Sequence, residues 1–283
     1  VEIRDAAEVV EIMDNPATAF KVKKDSSLTV GMNLLKEGAG DAFVSAGSTG
    51  ALLAGATLLV KRIHGIRRAA MGPVIPTAGG RMLLCDCGAN AECTPEYLLQ
   101  FAYLGSYYAQ RVLRMERPRV ALLNIGSEEA KGDTLRHEAY ELLRSAGEAG
   151  RIHFIGNLEA GDAMMGGADV LVADGFTGNV QLKTIEGVAK FMSKEIKGVF
   201  MASVGTKLGY LLCKKGMDDF REVFNQDKIG GAPFLGIAKP VIKAHGSSNE
   251  IAVMNAVRQA IAYTKSGMID AVKENIQYMT VSE

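Results

Sequence analysis

The chain alternates short runs of apolar residues with longer segments in which apolar positions recur every three or four residues. Short apolar runs bounded by Gly, Asn, Asp or Ser predict strands, whereas the periodic segments predict amphipathic helices. Strands are expected at 41–45, 120–123, 152–155, 170–173, 233–237 and 241–244, and two further apolar runs occupy 69–75 and 82–85. Helices are expected from the Asp25-Ser26-Ser27 cap to about 37, then over 51–61, 94–114, 134–145 and 177–199. A second apolar-rich helical segment, a glycine-rich loop at Gly230-Gly231 and two closing helices complete the chain. The start near 94 is marked twice, because Thr94 offers a capping hydroxyl and Pro95 suits the first helical position. Strands alternating with helices predict an α/β fold with a mainly parallel sheet covered on both faces. No repeat or linker divides the sequence, so a single domain over 1–283 is expected.

The predicted strands end in small polar residues. These are Ser45-Ala46-Gly47-Ser48-Thr49-Gly50, Asp86-Cys87-Gly88-Ala89-Asn90, Asn124-Ile125-Gly126, Gly156-Asn157, Asp174-Gly175-Phe176-Thr177-Gly178-Asn179 and His245-Gly246-Ser247-Ser248-Asn249. Any one alone is ordinary turn chemistry. Six at the carboxyl edge of one sheet, where open α/β sheets bind ligands, would line a polar cleft.

The stretch 41–59 has the strongest chemistry of the set. A short strand leads into three hydroxyls, Ser45, Ser48 and Thr49, set among Gly47 and Gly50, and a helix follows. Backbone N–H groups uncovered by any Cβ at a helix start suit an oxyanion such as phosphate, and the same hydroxyls also serve plain capping. Neither the P-loop nor the dinucleotide fingerprint fits. Lys131 and Lys183 would bring positive charge to a bound anion, and His245 stands where an imidazole can donate to a phosphate oxygen or move a proton. His64, His137 and His153 read as ordinary positions. Asp86 and Asp174 would orient His245 or a lysine, bind a metal, or simply begin turns.

Composition narrows the class. Lys plus Arg (32) equals Asp plus Glu (32), so no overall field draws the chain to nucleic acid. Four cysteines, no signal peptide and no long apolar run predict a cytoplasmic protein, with peripheral membrane contact open. The chain starts at Val1 with no apolar strand before it, so a trimmed N-terminus is expected. Cys85, Cys87 and Cys93 form no CxxC pair and Cys213 is distant, so no metal site is expected. Between 191 and 224, Met192, Ile196, Val199, Phe200, Met201, Val204, Leu208, Leu211 and Leu212 recur at helical spacing among Lys194, Lys197, Lys207, Lys214 and Lys215. That pattern predicts a protruding amphipathic helical pair at about 190–225, resting on an anionic membrane surface or covered by a dimer partner or the core.

The run 41–50, Gly-Ala-Asn at 88–90, Gln-Phe-Ala at 100–102, Leu-Leu-Asn-Ile-Gly at 122–126 with Lys131-Gly132, and Ile-Gly-Asn at 155–157 also match a known family in this order. With Asp-Gly-Phe-Thr-Gly-Asn at 174–179, Gly-Gly-Ala-Pro-Phe-Leu-Gly at 230–236 and His-Gly-Ser-Ser-Asn at 245–249, nearly the whole chain resembles the bacterial phosphate acyltransferase family of phospholipid synthesis (PlsX). Two departures stand out: Ser48 occupies a position where the family usually has Asn, and the family's N-terminal strand with its Gly-Gly turn is missing.

The resemblance implies a three-layer α/β/α fold related to phosphotransacetylases and to isocitrate and isopropylmalate dehydrogenases, assembled as a homodimer. It implies transfer of a long-chain acyl group from the thioester of acyl carrier protein to inorganic phosphate, without a cofactor, and peripheral membrane association. Ser45, Ser48, Thr49, Lys183 and His245 are then expected to hold phosphate or the carbonyl oxygen, while Asn90, Asn124, Asn157, Asp174 and Asn179 shape the site. Lys183, His245, Asp174 and Asn179 are the expected catalytic set, and Gly47, Gly50, Lys131 and Ser247 are expected to complete the phosphate and acyl contacts. An acidic carrier protein calls for a basic patch, with Lys61, Arg62, Arg67 and Arg68 as candidates. The rivals are a coenzyme A-dependent acyltransferase, an NAD-linked decarboxylating dehydrogenase, which needs a carboxylate cluster for a divalent metal, and a non-catalytic membrane scaffold.

Overall fold

A computed structural model describes residues 2–223 and 230–281. In chain order the helices are α1 (Ala19–Val22), α2 (Ser27–Glu37), α3 (Thr49–Gly55, continued by a wider π turn to Val60), α4 (Pro95–Arg111), α5 (Thr134–Glu148), α6 (Ala160–Met164), α7 (Gly175–Met201), α8 (Val204–Val223), α9 (Glu250–Lys265) and α10 (Met268–Glu274). The strands are β1 (Phe43–Ser45), β2 (Ala70–Met71), β3 (Val74–Thr77), β4 (Gly80–Cys85), β5 (Arg119–Leu123), β6 (His153–Leu158), β7 (Val170–Val172), β8 (Gly231–Leu235) and β9 (Val241–Ala244).

The strands form two sheets where one was expected. The orders are β1-β9-β8-β2 and β3-β4-β7-β5-β6. The predicted apolar run at 69–75 crosses from one sheet to the other, because Gly72-Pro73 interrupts it. Pro73 has no N–H for a ladder; its carbonyl still accepts from Leu84 on β4, while the Gly72 N–H turns to Pro233 on β8. The larger sheet is parallel apart from its edge strand β3. In the smaller one only β1 and β9 run parallel.

Both sheets are covered by helices on their two faces. α4 is apolar nearly all round, as a helix between layers must be: Leu98, Phe101, Ala102 and Leu104 share one core with Leu83, Val120 and Val170 of the larger sheet and Leu235 and Ile242 of the smaller. The other face of the smaller sheet packs Phe234 and Val241 against Leu28, Met32 and Leu35 of α2 and Leu52 of α3. The far face of the larger sheet packs Met82, Leu84, Ala121 and Leu171 with Ala163 and Leu182. Each fully buried Val, Leu, Ile, Phe or Met among these contributes roughly 1.5–3 kcal/mol of transfer free energy. The one amide buried within α4 is fully used: Gln100 accepts from the Arg67 N–H and donates to the Gly65 and Met279 carbonyls.

Some local expectations shift. β1 covers only 43–45 and is half-buried rather than buried. Thr94 occupies the cap of α4, but its hydroxyl makes no capping bond, so the start is set by Pro95. β6 runs on to Leu158 and absorbs Gly156-Asn157, which is therefore not a turn; one extra residue bulges between the Val120–Phe154 and Leu122–Asn157 pairs, with Gly156 at φ 98°. Helix α7 begins at Gly175, two residues before Thr177, because Asp174 supplies the cap. Gly231 lies in β8 rather than a loop, and the end of the predicted helical pair, 224–225, lies outside the described residues.

Candidate functional site

The sequence-predicted residues fall into two groups, one at the carboxyl end of each sheet's parallel strands. The first lies where β1 and β9 end side by side, with Ser45 paired to Lys243. Ser45 Oγ accepts from the Gly47 N–H at 3.1 Å, and Ser48 caps α3 through the Ala51 N–H at 3.5 Å. Thr49 is the first residue of α3, and Gly50 leaves room for Pro16, whose Cγ would lie 2.9 Å from a Cβ there. On the neighbouring strand end, Ser247 donates its N–H to His245 Nδ1 at 3.2 Å, with its hydroxyl on the same nitrogen at 2.8 Å. Nδ1 is thus an acceptor, so Nε2 carries the imidazole proton of this exposed side chain. Asn249 caps α9 through the Ala252 N–H and holds this turn at a helix start.

The second group is knitted around Asp86, which is wholly buried. Its carboxylate accepts from the N–H groups of Met71 (2.8 Å), Cys87 (2.6 Å) and Asn90 (2.7 Å) and from Asn90 Nδ2 (3.0 Å). Burial raises its pKa, and these hydrogen bonds pull the other way. Asn90 also donates to the Ala69 carbonyl. Asp86 and Asn90 therefore brace the turn after β4 from within. The turn after β7 interlocks with it: the Gly175 N–H donates to the Asn90 carbonyl, and the Gly88 N–H donates to the Gly175 carbonyl. Asn179, exposed, packs its side chain over Gly88, which sits at φ 90°.

Asp174 caps α7 through the Thr177 N–H (2.8 Å) and hydroxyl (2.7 Å) and forms an ion pair with Arg136. Arg136 also meets Thr177 Oγ1 at 3.1 Å and Asp133, the cap of α5, at 2.8 Å. One guanidinium thus ties the starts of α5 and α7 together. Asn124 closes its own loop, donating to the Lys131 carbonyl and accepting from the Ile125 N–H, and Asn157 donates to the Glu128 carbonyl. Lys131 lies 3.8 Å from Glu128, and Lys183 is bonded to Glu186 at 2.9 Å, each on an exposed side chain.

Met71 of β2, the edge strand of the smaller sheet farthest from β1, ties the second group to that sheet. Its N–H reaches Asp86, and its carbonyl accepts from the Cys87 N–H. No hydrogen bond or ion pair among the described residues joins Lys183 to His245. A hollow of about 210 Å³ lies at the opposite ends of β1 and β9, against Asp41, Pro240 and Lys273, away from both groups. Burial, followed by the charge of Asp86, pushes the Cys87 thiol up to about 12, and the nearby Lys183 ammonium only opposes that rise. A thiol so rarely ionised is a poor nucleophile at neutral pH. No group of three or more His, Cys, Asp or Glu among the described residues is placed to hold a metal ion.

Sequence reasoning missed two cations. Lys243 interrupts the apolar strand β9, a break in pattern that marks it. Arg136 lies on the first turn of α5, three residues after the capping Asp133, where it looks like a surface helix residue.

A family model described as fatty acid synthesis protein matches residues 1–271. The chain belongs to this family. Among relatives of these fatty acid synthesis proteins, the phosphate acyltransferase of Clostridium acetobutylicum is 44% identical over 277 residues, 98% of this chain and 82% of that one. The phosphate acyltransferase of Lactococcus lactis subsp. cremoris is 49% identical over 261 residues, 92% of this chain and 78% of that one. Among solved structures, the EutD phosphotransacetylase from Staphylococcus aureus superposes with a TM-score of 0.57 at 20% identity, covering 87% of this chain and 69% of that one. A likeness at that identity is one of fold, and it agrees with the phosphotransacetylase relation that the sequence motifs imply.

Proposed function

We propose that this chain is an acyltransferase that moves a long-chain acyl group from the thioester of acyl carrier protein to inorganic phosphate, giving acyl phosphate and free thiol. The observation that carries this reading is the likeness, across 92% or more of the chain, to proteins named phosphate acyltransferase. The local chemistry supports it. An oxygen of hydrogen phosphate attacks the thioester carbonyl carbon, the C–S bond breaks, and the departing thiolate takes up the proton that the phosphate gives up, leaving as free thiol. Phosphate is already a nucleophile and a thiolate already leaves well, so the protein's work is to position the partners and stabilise the oxyanion. In this scheme His245 Nε2–H donates to the oxyanion or to the departing sulfur, and Lys183 adds positive charge from α7.

The donor is tested by comparing palmitoyl carrier protein with palmitoyl coenzyme A at equal phosphate. The expected result is a clear preference in kcat/KM for the carrier protein; equal or better use of coenzyme A would point to the rival donor. Within the candidate carrier patch, Arg67 pairs with Glu96 and Arg68 lies 5.7 Å from the centre of the Tyr97 ring, while Lys61 is exposed and in no ion pair among the described residues.

We also propose peripheral attachment to an anionic membrane through α7 and α8. These helices contact one another at Phe200 and Tyr210, with ring centres 5.3 Å apart, and Val204, Leu211 and Leu212 face outward beside Lys207, Lys214 and Lys215. No helix among the described residues is long and apolar enough to cross a membrane. The protein is expected to sediment with anionic liposomes and Leu211→Glu to weaken that binding several-fold. No sedimentation, together with a dimer disrupted by the same substitution, would assign the face to a second copy instead.

A further inference from the structure

Among the described residues Lys243 is a cation without a counter-ion. Its side chain, on β9 directly beside Ser45 of β1, is half-buried, yet no carboxylate among the described residues lies within ion-pair distance of it. Its ammonium instead donates to two backbone carbonyls at the strand ends, those of Ala46 (3.4 Å) and Ala244. Taking an ammonium partly out of water without an anion is costly, and neutral carbonyls repay only part of that. Burial accordingly lowers the lysine's pKa. The same strand ends present the hydroxyls of Ser45 and Ser48 and the His245 imidazole, and a Cβ added at Gly246 would lie 4.0 Å from the Ala46 carbonyl oxygen. Hydrogen-bond donors therefore gather round a charge that lacks its opposite.

We propose that Lys243 is the residue that binds the acceptor phosphate, holding the anion against the turn at 45–48. This deepens the acyltransferase reading and rests on it. In the occupied state the ammonium exchanges its carbonyl contacts for phosphate oxygens, and the hydroxyls of Ser45 and Ser48 take further oxygens, which leaves His245 Nε2–H for the reacting carbonyl or the sulfur. The phosphate site then lies on the smaller sheet. The braces around Asp86 and Asp174 fix the helix that carries Lys183.

The test is a split of Michaelis constants. Lys243→Met is expected to raise the KM for phosphate roughly 10- to 100-fold, the range for losing one charge-assisted hydrogen bond, with the KM for palmitoyl carrier protein unchanged. Lys239→Met, a lysine at the other end of the same sheet that donates to the Leu35 carbonyl, is expected to leave both constants unchanged. A phosphate KM within twofold of the parent in Lys243→Met overturns the assignment. If that variant fails to fold, a phosphate titration of the parent protein decides: inorganic phosphate must shift the Lys243 side-chain NMR signal and not that of Lys239, and an unmoved Lys243 signal overturns the proposal. A parent protein that forms no acyl phosphate at all defeats the acyltransferase reading instead, so the two failures are distinct.

Discussion

Replacing His245 by alanine is expected to lower kcat/KM for acyl phosphate formation about 100-fold or more, the usual cost of deleting one positioned donor to a developing oxyanion, and to leave the melting temperature in place. The fold is spared because the imidazole is exposed and its hydrogen bonds stay within its own turn, to Ser247. The helix behind it is capped separately by Asn249. His245→Gln retains a donor but not the ring geometry, so partial recovery is expected. Lys183→Ala is expected to act on the same kinetic constant; its own side chain is exposed, but its partner Glu186 is only 14% exposed, so a small loss of stability is expected beside the kinetic one. Steady-state rates with circular dichroism melts check both. Wild-type rates in both variants would remove these residues from the mechanism.

Gly178→Ala is expected to be the most damaging single methyl added to the α7 start. A Cβ at that position would lie 2.0 Å from the backbone carbonyl oxygen of Asp86, so strand end and helix must separate. Alanine favours a helix over glycine by about 1 kcal/mol, but overpacking against rigid backbone costs roughly 1–3 kcal/mol, sometimes more. A contact this short belongs at the upper end, so destabilisation wins. The melting temperature should fall by several degrees, and activity should fall with it, because the shift moves Asn179 and Lys183 together. Gly187→Ala on the same helix has nothing within 4 Å of the new methyl. It is expected to raise the melting temperature slightly, through helix propensity alone. Equal effects at 178 and 187 would mean that the interlock does not hold the site.

The order of elements was legible because strands and helices differ in period. The strand 241–244 and the start of the helix at Thr134 emerged with the predicted bounds. The division into two sheets was not legible, since periodicity says which residues face a core and not which strands pair. Gly72-Pro73 was the available signal, as two residues that break a ladder inside one apolar run. The polar turns were correctly read as strand ends at 45–50, 86–90, 174–179 and 245–249, yet residue type could not separate ligand chemistry from bracing. Asp86 and Asp174 look alike in sequence, yet Asp86 spends its carboxylate on backbone N–H groups and Asn90, and Asp174 on Thr177 and Arg136. Lys243 was overlooked because a lysine in a short strand resembles a solvated residue; only its pairing beside Ser45 reveals the missing counter-ion.

Phosphorus NMR of the protein incubated with palmitoyl carrier protein and inorganic phosphate tests the central claim most directly. The account predicts a new acyl phosphate resonance that grows one for one with released carrier thiol and is absent when phosphate is omitted. Thiol release at the same rate without phosphate, yielding free fatty acid and no acyl phosphate signal, would contradict it.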